Sequence, residues 1–144
     1  MKILALTILF ILMIFTIKDT PILLSKTLWR KKMIIILTKN KESNNGEPLS
    51  NTLQGASILI FLFYELFLII FYIVVGNKIG TTEFIVMSAL QVFTCLWSIY
   101  INLTEIKTAF SYNIEDFKFH RLQRLFNFVL DYIYYPLAIY MLLK

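Results

Sequence analysis

Apolar positions in this chain are gathered into long runs set apart by short polar stretches, a spacing that predicts helices able to cross a bilayer rather than half-buried strands. The fullest run is Ile58 to Val75, ILIFLFYELFLIIFYIVV, interrupted by one ionisable residue, Glu65, near its middle. With Ala56 and Ser57 it reaches the roughly 20 residues that a helix needs to cross a hydrocarbon core of about 30 Å. A span over residues 56–75 follows. A carboxylate at such a depth costs about 3 kcal/mol or more, so Glu65 is expected to face protein, water or a partner rather than lipid.

The other runs are read against this one. Ile3 to Ile17 is apolar except for Thr7 and Thr16 and resembles the hydrophobic region of a secretory signal. No small-x-small pair follows it, and Lys18-Asp19-Thr20-Pro21 leads into more apolar residues, Ile22-Leu23-Leu24. An uncleaved first span over residues 2–17 is therefore expected ahead of a cleaved signal, short enough that it must tilt little or thin the bilayer. A third span is predicted over residues 83–102 and a fourth over 125–143. Gly76-Asn77-Lys78-Ile79-Gly80 has GxxxG spacing, but its polar interior between two apolar runs reads as a tight turn rather than a helix-pairing motif. Before the fourth span, Asn113-Ile114-Glu115-Asp116 has the pattern of a helix start that can run straight into it, and Pro136 should kink its outer half.

Residues 18–55 form a long connection. Lys26-Thr27-Leu28-Trp29-Arg30-Lys31-Lys32 precedes a five-residue apolar run, Met33 to Leu37, too short to span. The basic cluster beside Trp29 suits a segment lying among lipid headgroups, while a short strand pairing with a partner stays open for residues 22–37. The tract from Thr38 to Asn51 reads as a polar loop. Together these features predict an all-α integral membrane protein, a four-transmembrane-helix bundle with a basic cytoplasmic loop after the first helix, forming one membrane domain over residues 1–144.

Composition sharpens the class and the orientation. Of 144 residues 58% are hydrophobic and 16% charged, with mean hydropathy +0.72 and formal net charge +5. In a membrane chain such an excess reports topology and anionic headgroups before nucleic acid, which is not expected as a partner. Seven of the 14 Lys and Arg residues lie between Lys18 and Lys41, and Lys107, Lys118, Arg121 and Arg124 precede the fourth span, whereas the middle turn carries only Lys78. The positive-inside rule then places both long connections in the cytoplasm and both termini outside, in a bacterial or organelle inner membrane. If the first segment is cleaved or does not span, the arrangement inverts.

The sharpest pattern lies in the third span. Ser88, Gln91, Cys95, Ser98, Asn102 and Glu105 advance in steps of three or four, with Thr94 adjoining, and so share one helical face. Asn127 and Asp131 lie one turn apart on the fourth span, continued by Tyr134. An intramembrane polar seam of Glu65, Gln91, Ser98, Asn102, Asn127 and Asp131 is predicted, with Glu65 meeting Gln91 near the midplane and Asp131 level with Cys95 and Ser98. Interhelical hydrogen bonding is the first expectation for it, ahead of an ion or proton path.

Chemistry is otherwise thin. Cys95 is the only cysteine and His120 the only histidine, and no phosphate-cradling glycine loop or nucleophile elbow is present. No catalytic residue, metal site or cofactor is expected; Cys95 reads as a buried inert thiol and His120 as a surface ion-pair partner of Asp116. The expectation is a non-enzymatic, oligomeric polytopic membrane subunit that anchors, senses or scaffolds. Lys26, Trp29, Arg30, Lys31 and Lys32 would engage anionic lipid headgroups or a cytoplasmic partner, and another copy or another subunit would cover the rest. The alternative is a small pore, channel or proton-coupled exporter, holin-like or multidrug-exporter-like, with Glu65 as its working group.

Overall fold

A computed structural model describes residues 2–43, 51–105, 115 and 118–144. The described chain is helical, without strands: α1 (Lys2–Leu24), α2 (Lys26–Ser43), α3 (Asn51–Ile79), α4 (Thr82–Thr104) and α5 (Arg121–Leu143). Four of these, all but α2, are long and apolar enough to cross a membrane. That is the signature of an integral membrane protein.

Each helix is longer than the apolar run that announces it, because polar residues at the ends find partners. α1 continues through Lys18-Asp19-Thr20-Pro21 to Leu24 instead of stopping at Ile17. Thr20 Oγ1 donates to the Thr16 carbonyl at 2.8 Å and lies 2.8 Å from the Tyr132 hydroxyl of α5, while Asp19 pairs with Lys32 of α2 at 3.3 Å. Pro21 leaves the Ile17 carbonyl without its helical donor, and the helix nevertheless continues to Leu24. α3 is 29 residues long, about 43 Å at 1.5 Å per residue, so it must tilt or project beyond a ~30 Å hydrocarbon core.

Residues 26–43 are a helix rather than a strand or a loop. Only Ser25 separates α2 from α1, and it caps the new helix: its Oγ accepts from the Leu28 amide at 3.3 Å and its carbonyl from the Trp29 amide at 2.9 Å. Much of the expected polar loop is thereby absorbed, since α2 reaches Ser43; its remaining turn signals from Asn44 to Pro48 lie outside the described residues.

The turn between α3 and α4 is tight. Gly80 adopts φ 73°, a left-handed conformation that glycine enters without steric cost, and its amide donates to the Gly76 carbonyl at 2.9 Å to close α3. Gly76 itself is not part of the turn. It lies inside α3, where a Cβ would stand 2.7 Å from Ser88 Oγ, so one of the two glycines does serve close helix approach. The run from the Asn113 region straight into the last span does not form. Asn113, Ile114 and Asp116 lie outside the described residues, but Lys118 to His120 are irregular and α5 starts afresh at Arg121.

α3 and α4 pack as an antiparallel hairpin, α1 packs along α5, and α4 joins the two pairs through α5. Tyr134, fully buried, sits at their junction: its ring lies edge-on to Tyr72 at 5.2 Å and against Phe84 at 4.9 Å, and its hydroxyl meets Ser88 Oγ at 3.0 Å. Lys2, Lys78 and Leu142 border one small cavity, which gathers the start of α1 with the ends of α3 and α5 at one end of the molecule. α2, the end of α4 and the start of α5 gather at the other.

Candidate functional site

Between α1, α3, α4 and α5 lies a chamber of about 260 Å³. The hairpin register decides what faces it. Glu65 lies 15 residues before Gly80 and Ser98 lies 17 after Thr81, so a tight turn sets them opposite one another. Ser98 Oγ donates to Glu65 Oε1 at 2.8 Å. Asn102 Nδ2, one turn on, donates to the Ser98 carbonyl at 2.8 Å.

The second acid is held separately. Gln91 Nε2 donates to Asp131 Oδ1 at 3.0 Å, and Thr94 Oγ1 donates to the Gln91 backbone carbonyl at 2.8 Å and lies 3.4 Å from the Gln91 side-chain Oε1. Beside this pair the hydroxyls of Tyr72 and Tyr135 meet at 2.8 Å. Glu65 is 6% exposed and Gln91 1%. Each carboxylate is thus met by a neutral donor, and neither has an ion-pair partner among the described residues.

The six residues of the predicted seam are therefore split into pairs that differ from the expected ones. Glu65 meets Ser98 rather than Gln91, and Asp131 meets Gln91 rather than sitting level with Ser98. The reason is the position of the turn: pairing by the midpoints of two unequal apolar runs misplaces the register by about two helical turns. Asn102 lies at the exposed edge. Asn127 lines the chamber, and its Oδ1 is buried without a hydrogen-bond partner among the described residues. Cys95 is buried beside Glu65 with its thiol unbridged. Tyr72 and Tyr135 were not singled out by the sequence, because tyrosines scattered through apolar runs carry no periodic signal.

At the α2 end a second constellation forms. Trp29 is 7% exposed, its ring 5.3 Å from that of Phe119, and the Arg124 guanidinium lies 5.5 Å from the Trp29 ring centre and 5.0 Å from that of Phe119. Trp29 is thus a buried anchor and not an exposed headgroup contact. Lys26, Arg30, Lys31 and Lys32 are exposed. Nearby, His120 Nε2 lies 3.0 Å from Glu105 Oε2, and Lys118 Nζ lies 3.4 Å from Glu105 Oε1. Glu105 takes the place expected for Asp116, which lies outside the described residues. The His120 hydrogen bond is the main cause holding the Glu105 carboxyl below its ordinary value, with Lys118 adding to it.

No group of three or more His, Cys, Asp and Glu side chains able to hold a metal occurs among the described residues. Fold and site together define a class, helical membrane proteins with a polar interior. The comparisons carry the assignment no further: the chain matches no family model, no curated protein and no solved structure.

Proposed function

We propose that this protein is a non-enzymatic, oligomeric subunit of a membrane assembly that engages anionic lipid headgroups through α2. The observation that carries the reading is the way α2 is fixed. Its aromatic anchor is buried against Phe119 and Arg124, while Lys26, Arg30, Lys31 and Lys32 stay exposed on a helix joined to α1 by one residue. A rigidly presented basic helix next to the ends of the spans sits where headgroup charge is found, and each Lys or Arg near an anionic surface contributes about 1 kcal/mol. The positive-inside rule puts this end in the cytoplasm and both termini outside. Large apolar side chains stay exposed along the spans, Phe10, Ile14 and Phe15 of α1 and Ile60, Phe63 and Ile70 of α3 among them, and lipid or further copies of the chain would cover them.

The triple variant R30Q/K31Q/K32Q tests this. Three charges at about 1 kcal/mol each predict a loss of about 100-fold in affinity of the reconstituted protein for vesicles rich in phosphatidylglycerol, shrinking as salt rises. Unchanged, salt-independent binding would remove the basis of the reading. The chamber favours a second reading, a channel or exporter working through Glu65, since a buried acid facing a cavity is more often functional than incidental.

A further inference from the structure

The geometry points to a binding site for a small organic ammonium cation in the chamber between α1, α3, α4 and α5, with Glu65 and Asp131 as its anionic contacts and tyrosine rings as its wall. It does not depend on how α2 meets the membrane.

Four observations converge on that ligand class. First, among the described residues the chamber borders carry Asp19, Glu65 and Asp131 but no Lys, Arg or His side chain. Asp19 is already paired with Lys32, which leaves the buried Glu65 and the half-buried Asp131 without a counter-cation among the described residues. Second, the donors that meet the two acids are neutral. Ser98 Oγ serves Glu65 and Gln91 Nε2 serves Asp131, and neither brings a charge. What the two acids lack is a positive partner, and an ammonium group supplies donors with its charge. Third, the wall is aromatic, formed by the buried Tyr72 and Tyr135 together with Phe15 and Tyr64, which are also exposed outward. Aromatic faces attract ammonium groups, quaternary ones included.

Fourth, size and grouping disfavour a bare ion. A volume of about 260 Å³ is many times the ~10–15 Å³ that houses one water, and the acids do not cluster as metal ligands do. A molecule with a compact ammonium head fits both the charge and the volume.

The test uses the full chain in nanodiscs of phosphatidylglycerol, a lipid without an ammonium group. Choline is titrated calorimetrically against 3,3-dimethylbutan-1-ol, the isostere with carbon in place of the charged nitrogen. Choline should bind at least about tenfold more tightly than the alcohol, and excess sodium should not displace it. Equal binding of the alcohol, or displacement by sodium at choline's own concentration, would overturn the site; neither result depends on a variant that folds. E65Q and D131N, checked for unchanged helix content, should each weaken choline about tenfold or more. Two folded variants with wild-type affinity would also overturn it. Repeating the titration in phosphatidylcholine nanodiscs separates sources: undiminished affinity assigns the site to a soluble cation, and competition assigns it to a lipid headgroup.

Discussion

A methyl group at Gly76 would stand 2.7 Å from Ser88 Oγ and 2.8 Å from its Cβ, closer than real side chains approach. Gly76→Ala is therefore expected to cost about 1–3 kcal/mol by pushing α3 from α4 and disturbing the Ser88–Tyr134 hydrogen bond. Gly55, with nothing within 4 Å, supplies the control, and Gly55→Ala should be neutral or slightly stabilising. Thermal unfolding in detergent reads both; equal melting temperatures for the two variants would refute the close contact. At this scale the sequence is informative about chemistry and weak on partners. Glu65 stands out as a lone acid in an apolar run, and the polar face of α4 stands out by its spacing. Which acid meets which donor depends on where the hairpin turns, and Gly80 held that information: counting outward from it pairs Glu65 with Ser98. Tyr72 with Tyr135 could not be read at all, since two hydroxyls 63 residues apart meet only through the packing of α3 against α5.

Helices proved longer than hydropathy alone allows. Runs end where charged residues begin, but a helix ends where its backbone groups lose partners, and Asp19, Thr20 and Asn77 continue theirs. The α2 segment shows the opposite limit. Its apolar residues fall on no single face, so periodicity could not choose helix over strand, whereas Ser25 as cap and the burial of Trp29 do. The contact that seats the start of α5 is electrostatic as well. Because His120 and Lys118 hold the Glu105 carboxyl below its ordinary value, the stabilisation from this contact is full above the unfolded carboxylate pKa, about 4.3. It is lost as pH falls through the lower folded value. With Trp97 replaced by Phe, the emission of Trp29, which packs on Phe119, should shift below about pH 4, and Glu105→Gln should show the shifted spectrum already at pH 7. A Trp29 signal indifferent to both acid and the substitution would mean that Glu105 does not seat this end.

Across the whole molecule the basic residues gather towards the α2 end and two acids, Glu65 and Asp131, lie in the middle. The broad architecture was legible because membrane spans obey one dominant constraint, length of apolar chain, and four such runs are present. The pairing of α1 with α5 was not, since packing between apolar helices leaves little trace in composition. The proposed role depends on the arrangement of ends: α2 on the cytoplasmic side, and the α3–α4 turn with both termini on the other. Single cysteines placed at Lys39, Thr81 and Lys144 in a Cys95→Ser background, labelled with a membrane-impermeant maleimide in right-side-out and inverted vesicles, measure it directly. Four spans with a cytoplasmic α2 predict labelling of position 39 only in inverted vesicles and of positions 81 and 144 only in right-side-out ones. Labelling of positions 39 and 144 from the same face would contradict the four-span arrangement and, with it, the placement of the basic helix at the anionic surface.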